Sequence, residues 1–458
     1  MDALLDGPAV SIARAVAAGD ASPVELVDAA LARIEERNPR INAVVAVRAE
    51  AAREEAAALE RAARAGKALG PLAGVPITVK ESVALAGMPW TGGSRAFEGD
   101  VARADAPAVA GLRRAGAIPV GVTNTSELCM YYDSYNPLYG ATGNPHDTSR
   151  SAGGSSGGEA ASLAAGIVPL GVGSDLSGSI RFPAHLTGVF GFKPSGGTVP
   201  LRGHHPSWVP PPSFDLMAQI GPMTRHAEDL GPALEAMSGH GLAPAEAPSP
   251  VAVFEEDGLN PVSQPCRAAV RAAAEALAAA GVAVEEAVPP NQRDARETYD
   301  TLLVADLAHL IGPQLAGRRE ALGERLGRIV DGGSQARVSL DAYLGARVRR
   351  MELEDAVAAW QERYSLAICP VGPVTAFPLG EPISEVEGRT THPAGVLTLC
   401  SYANVLRLPA CSVPARRDDD GLPVGIQVIG RHGREGDVLA LAGRLEEMLG
   451  GAIAPRSA

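Results

Sequence analysis

The chain has 458 residues, of which 46% are hydrophobic and 20% are charged, so it can bury a large core and is not expected to be disordered. Its formal net charge of −13 argues against a nucleic-acid-binding protein, because neutralising phosphates requires a surplus of Lys and Arg. The five scattered cysteines form no CxxC pair and no zinc-site spacing, which indicates reduced thiols, a cytoplasmic location and no bound metal.

Helices are predicted at the start of the chain, before the first strand. No basic start followed by an apolar run precedes them, so no signal peptide is predicted, and no apolar stretch is long enough to predict a membrane span. Ser22 to Glu25 combines a capping serine, a proline at the first helical position and a glutamate, which predicts a helix that continues to Asn38. A second helix is predicted from Arg48 to Ala65.

Short apolar runs then alternate with helical segments. Strands are predicted at Val75 to Val79, "AIPVGVTN", "IVPLGVGSD", "VFGFKP", "LAICPVGP", "ACSVPA" and "PVGIQVIG". Helices are predicted from a cap at Asp105 to Arg114, at "EAASLAAG", from Cys266 to Ala280, from Leu340 to Tyr364 and from Asp437 to Leu449. Residues 200 to 250 resemble a loop, and residues 263 to 365 are mostly helical.

This alternation predicts one large α/β domain with a mixed central sheet and helices on both faces. Strands occur both early and late in the chain, so the sheet is expected to be built from both ends, with the helical stretch as an insertion. The expected segments are N-terminal helices at 1–68, a core at 70–200, a variable, mostly helical region at 201–400 and a return to the sheet at 401–458.

One stretch, "GGSSGGEAASLAAGIVPLGVGSDLSGSIRFPA", is rich in glycine and serine between apolar runs. A flexible linker would lack the flanking strands. A phosphate cradle would need GxxxxGK[ST] or GxGxxG directly after a strand. The segment from Gly153 to Gly157 formally matches the G-x-S-x-G elbow of serine hydrolases, but no hydrophobic strand precedes it and no histidine is placed as a base.

A serine chemistry without histidine fits better. Ser179 follows a predicted strand, near a predicted helix start, where free backbone N–H groups can stabilise developing negative charge. Lys80 ends another apolar strand, and a buried lysine can lose its proton near neutral pH because desolvation disfavours its charge. A neutral lysine can accept a serine proton, directly or through a second serine hydroxyl.

The chain resembles the amidase signature hydrolases. The resemblance is carried by "GVPITVKES", "TNTSEL", "NPHDTSRSAGGSSGGEAA", "GSDLSGSIRFPA", "GVFGFKPS" and "LPACSVPARRDDDGLPVGIQVIG". The stretch "YYDSYNPLYGATGNP" is most similar to the fatty-acid amide hydrolase branch. The resemblance implies the amidase signature fold, no cofactor, and a Ser–cis-Ser–Lys triad made of Lys80, the cis-serine Ser155 and the nucleophile Ser179.

The resemblance also implies the remaining site residues. Backbone N–H groups of four residues are expected to form the oxyanion hole: Leu176, Ser177, Gly178 and Ser179. Asp175 and Arg181 are expected to brace the nucleophile loop, and Ser156 to hydrogen-bond within the glycine turn. Asn124 and Glu127 are expected to hold neighbouring loops.

Substrate contacts are expected from four residues: Cys129, Met130, Tyr132 and Trp208. The segment "LRGHHPSWVPPPSFDLM", with His204, His205, Phe214 and Met217, is expected to contribute to an apolar pocket rim, although a packed surface loop fits it equally well. Ser177 stands where the family usually has glycine, which can crowd the oxyanion hole or add a hydroxyl to the pocket.

The resemblance implies hydrolysis of uncharged aryl or alkyl amides or anilides, with carbamates (urethanes) and esters as further substrates. The expected partner is a small molecule, not a nucleic acid or a membrane, and a monomer or homodimer is expected. Two alternatives remain at this point. A glutamine amidotransferase A-type subunit of a tRNA-dependent complex shares these motifs, and a non-catalytic binding protein can share the fold.

Overall fold

The centre of the fold is an eleven-stranded mixed β-sheet. The computed structural model describes residues 1–205, 211–246, 250–391 and 395–455. Its strands are β1 (Val44–Val47), β2 (Pro76–Lys80), β3 (Ile118–Thr123), β4 (Tyr135–Asn136), β5 (Gly140–Ala141), β6 (Gly143–Asn144), β7 (Asp147–Ser151), β8 (Leu170–Asp175), β9 (Phe190–Lys193), β10 (Gln219–Thr224), β11 (Val251–Val253), β12 (Val284–Glu286), β13 (Leu366–Pro370), β14 (Glu385–Val386), β15 (Arg389–Thr390), β16 (Ala410–Arg417) and β17 (Pro423–Gly430). Only eleven of these strands form the large sheet, and their order is β1-β3-β2-β8-β10-β9-β16-β17-β13-β11-β12.

Helices flank this sheet. They are α1 (Asp2–Asp6), α2 (Ala9–Ala18), α3 (Pro23–Ile41), α4 (Ala49–Arg64), α5 (Pro107–Arg114), α6 (Gly157–Ala164), α7 (Arg181–Thr187), α8 (Pro212–Met217), α9 (Leu230–Ser238), α10 (Gln264–Ala279), α11 (Gln292–Asp306), α12 (Gly312–Leu315), α13 (Glu324–Gln335), α14 (Leu340–Gln361), α15 (Thr398–Val405) and α16 (Glu435–Leu449). Short 3₁₀ turns lie at Arg95–Phe97, Glu127–Cys129, Ala227–Asp229 and Ala316–Ala321, and a π-helical turn lies at Leu307–Ile311.

Three neighbouring strands bring the polar residues of the candidate site to one edge. β2 runs parallel to both β3 and β8, with Val79 paired to Val122 on one side and to Val172 on the other. Because parallel strands end at the same edge of a sheet, the carboxyl-terminal residues of β2 and β8 lie side by side. Lys80 and Ser174 are therefore neighbours, although they are far apart in the chain.

The predicted α/β architecture is confirmed, including a sheet built from both ends of the chain. β16 and β17 lie between β9 and β13, so the late strands complete the sheet that the early strands begin. The N-terminal cap is also confirmed, because the backbone N–H of Glu25 donates to Ser22 Oγ at 3.4 Å. Most predicted element ends lie within a few residues of the observed ones.

Two predictions about local structure are wrong. Asp105 does not cap α5, whose N-cap position is Ala106. The Asp105 carboxylate instead accepts from the backbone N–H of Ala86 at 2.8 Å and from Arg113 at 2.5 Å, because a charged partner on the same helix competes for it. The 200 to 250 region is not a continuous loop either, since it contains α8, α9 and the fully buried strand β10.

The five cysteines are free thiols. Within the described ranges, no helix combines the length and the apolar character needed to cross a lipid bilayer. The same ranges contain no group of three or more His, Cys, Asp or Glu side chains that could hold a metal ion.

Candidate active site

A buried amine lies at the end of β2, surrounded by hydroxyl groups. Lys80 Nζ lies 2.6 Å from Ser155 Oγ and 2.9 Å from Ser174 Oγ. Lys80 and Ser155 are both 0% exposed. Lys80, at the end of β2, therefore contacts both the serine of the glycine-rich loop and the serine near the end of β8.

The environment of Lys80 disfavours its charge. Burial lowers the pKa of the Lys80 ammonium below its ordinary value, because a dry site cannot solvate the cation. Three acidic groups oppose that shift by raising the pKa: Cys129, Asp175 and Glu159. The net direction is downward, which favours the neutral amine, the form that can accept a proton.

The loop that carries Ser155 packs tightly against the backbone of Asp133. The Gly154–Ser155 peptide bond is cis. A Cβ at position 154 would lie 2.6 Å from the backbone nitrogen of Asp133, so the close approach requires glycine there. The backbone N–H of Ser156 donates to the Ser179 carbonyl oxygen at 3.1 Å, which fixes the Ser155 loop beside the loop that holds Ser179.

Ser179 differs from its two neighbours in accessibility. It is 6% exposed and lines a cavity of about 340 Å³, whereas Lys80 and Ser155 lie behind the cavity wall. Ser179 sits between β8 and α7, two residues before the helix starts. A carbonyl group in the cavity can thus reach the Ser179 hydroxyl but not the amine.

Only part of the predicted oxyanion hole has available donors. The backbone N–H of Gly178 donates to Asp175 Oδ1 at 2.7 Å, so it is used within the loop. Within the described ranges, no bond from the N–H groups of Leu176, Ser177 or Ser179 to a protein acceptor is seen. The predicted role of Gly178 is therefore corrected from donor to turn residue, since its φ of 121° suits glycine.

The serine at position 177 is compatible with this turn. Positive φ falls on Gly178 and not on Ser177. The Ser177 side chain and Tyr299 of α11 both line the cavity. Burial raises the pKa of Tyr299 to about 12, so its phenol is neutral at ordinary pH. Ser177 thus adds one hydroxyl to a cavity wall that also carries the Tyr299 phenol.

A buried ion pair braces the loop that carries Ser179. Asp175 and Arg181 are both 0% exposed, and their closest charged atoms are 2.9 Å apart. Arg181 also donates to Asn404 Oδ1 at 2.5 Å and to Gln427 Oε1 at 2.7 Å. Burial alone would raise the pKa of Asp175, but the Arg181 charge outweighs burial and holds it well below its usual range. The loop therefore stays anchored at any ordinary pH.

Two other predicted supporting residues, Asn124 and Ser156, make hydrogen bonds near the site. Asn124 donates to Gly140 O at 3.1 Å and to Thr142 Oγ1 at 3.0 Å, so it holds a neighbouring loop. Ser156 does not bond within the glycine turn. Its hydroxyl donates to the Ser174 carbonyl at 3.2 Å and accepts from the Ser174 N–H at 3.3 Å, because β8 runs directly beside it.

Three of the four predicted substrate contacts line the cavity beside Ser179: Cys129, Met130 and Tyr132. Trp208 lies outside the described residues. Cys129 also lies close to Lys80. Burial alone would raise the pKa of its thiol, but the charges of Lys80 and His205 bring it down to about 7.

The predicted pocket-rim residues are placed differently. Phe214 and Met217 are 2% and 1% exposed and belong to the main core, because α8 packs its apolar face inward. His204 and His205 are also buried, at 3% and 1% exposed. His204 Nε2 lies 2.7 Å from Ser174 Oγ, so this histidine belongs to the group behind Lys80.

The amidase profile matches residues 25–439. The chain belongs to the amidase signature family. It is 34% identical to fatty-acid amide hydrolase 2-B of Danio rerio, over 99% of this chain and 91% of that protein. It is 36% identical to the A-type subunit of the glutamyl-tRNA(Gln) amidotransferase of Nitratidesulfovibrio vulgaris (92% of each chain) and 33% identical to an acylamidase of Rhodococcus erythropolis (96% and 94%).

Solved structures show the same fold. A crystal structure of an amidase superposes with a TM-score of 0.88 at 32% identity, covering 97% of this chain and 100% of the other. A bacterial aryl acylamidase of the amidase signature family superposes with a TM-score of 0.85 at 27% identity, covering 96% of each chain. The chain is therefore an amidase-family hydrolase that acts on C–N bonds.

Sequence reasoning missed one group in this amidase signature site, Ser174, and assigned another, His204, to the pocket rim instead. Ser174 is a strand residue in a glycine-rich run, and His204 lies in the segment "LRGHHPSWVPPPSFDLM", whose prolines resemble a loop. The signal that could have indicated Ser174 is its position at the end of a strand predicted beside β2. No local signal indicates His204, because its contact with Ser174 depends on how distant segments pack.

Replacing Arg181 with methionine tests the brace. The variant leaves the Asp175 carboxylate buried without its cation, so we expect the free energy of unfolding to fall by about 3–5 kcal/mol. Urea unfolding followed by circular dichroism measures the change. The double variant Asp175→Asn, Arg181→Met should recover part of the loss. A loss below about 1 kcal/mol in the single variant would contradict the structural importance of the pair.

Replacing Cys129 tests the electrostatic environment of Lys80. The thiolate raises the Lys80 pKa, so Cys129→Ala should lower it and make the neutral amine available at lower pH. The acidic limb of the pH–rate profile for covalent labelling by a fluorophosphonate should therefore move to lower pH. Cys129→Ser, which keeps the size but carries no charge in this range, should move it the same way. A limb that moves to higher pH would contradict the assignment.

Proposed function

We propose that this protein hydrolyses uncharged amides through an acyl-enzyme on Ser179, with Ser155 as proton relay and Lys80 as base. The observation that carries the proposal is the buried Lys80 amine, 2.6 Å from Ser155 Oγ, behind a cavity that exposes Ser179. A dry amine with a lowered pKa is a general base that needs no histidine.

The reaction follows from this arrangement. Neutral Lys80 takes a proton from Ser155 as Ser155 takes one from Ser179, and Ser179 Oγ bonds to the amide carbonyl carbon. The tetrahedral oxyanion is stabilised by the backbone N–H groups of Leu176, Ser177 and Ser179. Ser155 then donates its proton to the leaving nitrogen as the C–N bond breaks and takes one back from the Lys80 ammonium, so Lys80 is neutral again. Water attacks the acyl-enzyme by the same route and releases the acid.

The cavity favours an apolar substrate. Its wall includes many apolar side chains: Met130, Leu176, Leu303, Val304, Ile329 and Leu397. Arg296 and Asp300 also line it, but their charged atoms lie 2.7 Å apart and largely offset each other. An aryl or alkyl amide or an anilide suits this wall better than a charged amino acid. Carbamates and esters pass through the same tetrahedral oxyanion and are proposed as further substrates.

The similarity to amidotransferase A-type subunits supports a second candidate. Such a protein would release ammonia from glutamine, which carries a charged α-amino acid group. The largely apolar wall of the cavity argues against that substrate, because its ammonium and carboxylate groups would lose their solvation there. A non-catalytic binding protein would form no covalent adduct at Ser179.

A substrate panel distinguishes these functions. The purified chain is tested with an aryl amide, a fatty amide, an aryl carbamate and glutamine. We expect hydrolysis of one or more of the first three without glutamine preference, rising with pH as Lys80 loses its proton. Ser179→Ala should lower kcat by roughly 10⁴-fold or more. Equal rates for wild type and Ser179→Ala would overturn the nucleophile.

Two adjacent serines provide a matched comparison for the relay. Ser155 lies 2.6 Å from the amine, whereas the Ser156 hydroxyl bonds only to the backbone of Ser174. Ser155→Ala should therefore slow fluorophosphonate labelling of Ser179 far more than Ser156→Ala. Mass spectrometry of the labelled protein measures both. Equal labelling rates in the two variants would contradict the relay.

A further inference from the structure

A line of buried polar groups continues beyond Lys80, away from the cavity. Ser174 Oγ lies 2.9 Å from Lys80 Nζ on one side and 2.7 Å from His204 Nε2 on the other. His204 is 3% exposed and is not part of the cavity wall. Four side chains thus form a continuous line of hydrogen-bond contacts: Ser155, Lys80, Ser174 and His204.

If Lys80 acts as a base, the donors and acceptors along this line of hydrogen bonds must be arranged in one direction. Its lone pair must face Ser155 Oγ, so its N–H groups need acceptors on the opposite side. Ser174 Oγ is such an acceptor, and the Ser174 carbonyl lies at 3.5 Å. A hydroxyl holds this orientation only when its own proton is donated elsewhere, since otherwise it can rotate and donate to the amine.

His204 supplies the acceptor for that proton. A neutral imidazole protonated on Nδ1 accepts at Nε2, and the observed contact with Ser174 Oγ is through Nε2. Burial, with a smaller effect of the Lys80 charge, lowers the pKa of His204 to about 3, so the ring is neutral. The titratable groups that face it are Lys80 and His205, and neither is an acid that would favour imidazolium.

The other ring nitrogen of His204, Nδ1, has a different environment from Nε2. Among the described residues, His204 Nδ1 has no hydrogen-bond partner. The ring of His205 packs against His204 in a T-shaped arrangement, with centroids 4.0 Å apart and planes at 81°. An N–H group can point at an aromatic face in such a pair, which is the weaker contact a protonated Nδ1 would make. The Nδ1–H tautomer therefore leaves the strong acceptor, Nε2, for Ser174.

We propose that His204 is a positioning residue which, by accepting the Ser174 hydroxyl proton, holds the Lys80 lone pair toward Ser155. The inference rests on the proposed function, because it assigns Lys80 as the base. No proton passes to His204, and His204 touches neither the nucleophile nor the substrate. Without it, the Ser174 O–H can turn and donate to the Lys80 lone pair, which then no longer faces Ser155.

Two substitutions separate positioning from packing. His204→Leu removes the acceptor, and His204→Gln offers an amide oxygen to Ser174. We expect His204→Leu to slow fluorophosphonate labelling of Ser179 and to lower kcat by ~10–100-fold, with KM little changed because the residue lies outside the cavity wall. His204→Gln should retain most of the wild-type rate. Equal rates in His204→Leu and wild type, or equal losses in both variants, would overturn the proposal.

A double-mutant cycle tests whether His204 acts through Ser174. In a Ser174→Ala background, His204→Leu should cause no further loss of labelling rate, because the hydroxyl it orients is already absent. Losses that multiply in the double variant would mean that His204 acts independently of Ser174 and would overturn the proposal.

A measurement on the wild-type protein does not depend on activity or on the stability of the His204 variants. Nitrogen NMR of ¹⁵N-histidine-labelled protein should show an unprotonated Nε2 and a protonated Nδ1 for the ring whose resonances shift in Ser174→Ala. The opposite tautomer, or an imidazolium, would overturn the proposal. Failure of wild type to label at Ser179 would instead contradict the proposed function, so the two failures are distinguishable.

Discussion

The exclusion of water from the Lys80 amine is the constraint on which this site depends. In water the ammonium form would dominate, and no serine proton could be taken at neutral pH. At the buried end of β2 the charge is poorly solvated, so the neighbouring side chains decide the protonation state and the orientation of the lone pair. The parallel pairing of β2 with β8 supplies those neighbours, since it places Ser174 beside the amine.

The structure stabilises the charges of one buried pair, Asp175 and Arg181, and disfavours the charge of the buried Lys80 amine. Asp175 and Arg181 remain ionised because each carries the other's counter-charge and further hydrogen bonds. Lys80 has hydroxyls as its nearest partners and no carboxylate in direct contact within the described residues. The ion pair fixes the loop that carries Ser179, and the buried amine is the base in the proposed mechanism. A rigid loop and a reactive base can thus occupy adjacent positions without neutralising each other.

The sequence indicated the reactive groups more fully than their support. Lys80, Ser155 and Ser179 lie in short motifs whose residue types reflect local requirements, such as the glycine that the Asp133 backbone demands at position 154. Gly178 was misjudged because the use of its N–H by Asp175 depends on loop geometry. The strand β10 was missed because its proline, glycine and polar residues resemble a loop, whereas burial between β8 and β9 decides its conformation. His204 depends on the same long-range packing.

The partners of Arg181 have a consequence for the timing of synthesis. Asn404 and Gln427, which hold the Arg181 guanidinium, lie 223 and 246 residues further along the chain. The loop that carries Ser179 therefore lacks these two contacts while those residues are still inside the exit tunnel of the ribosome. It can take the shape described above only after that distant segment has emerged.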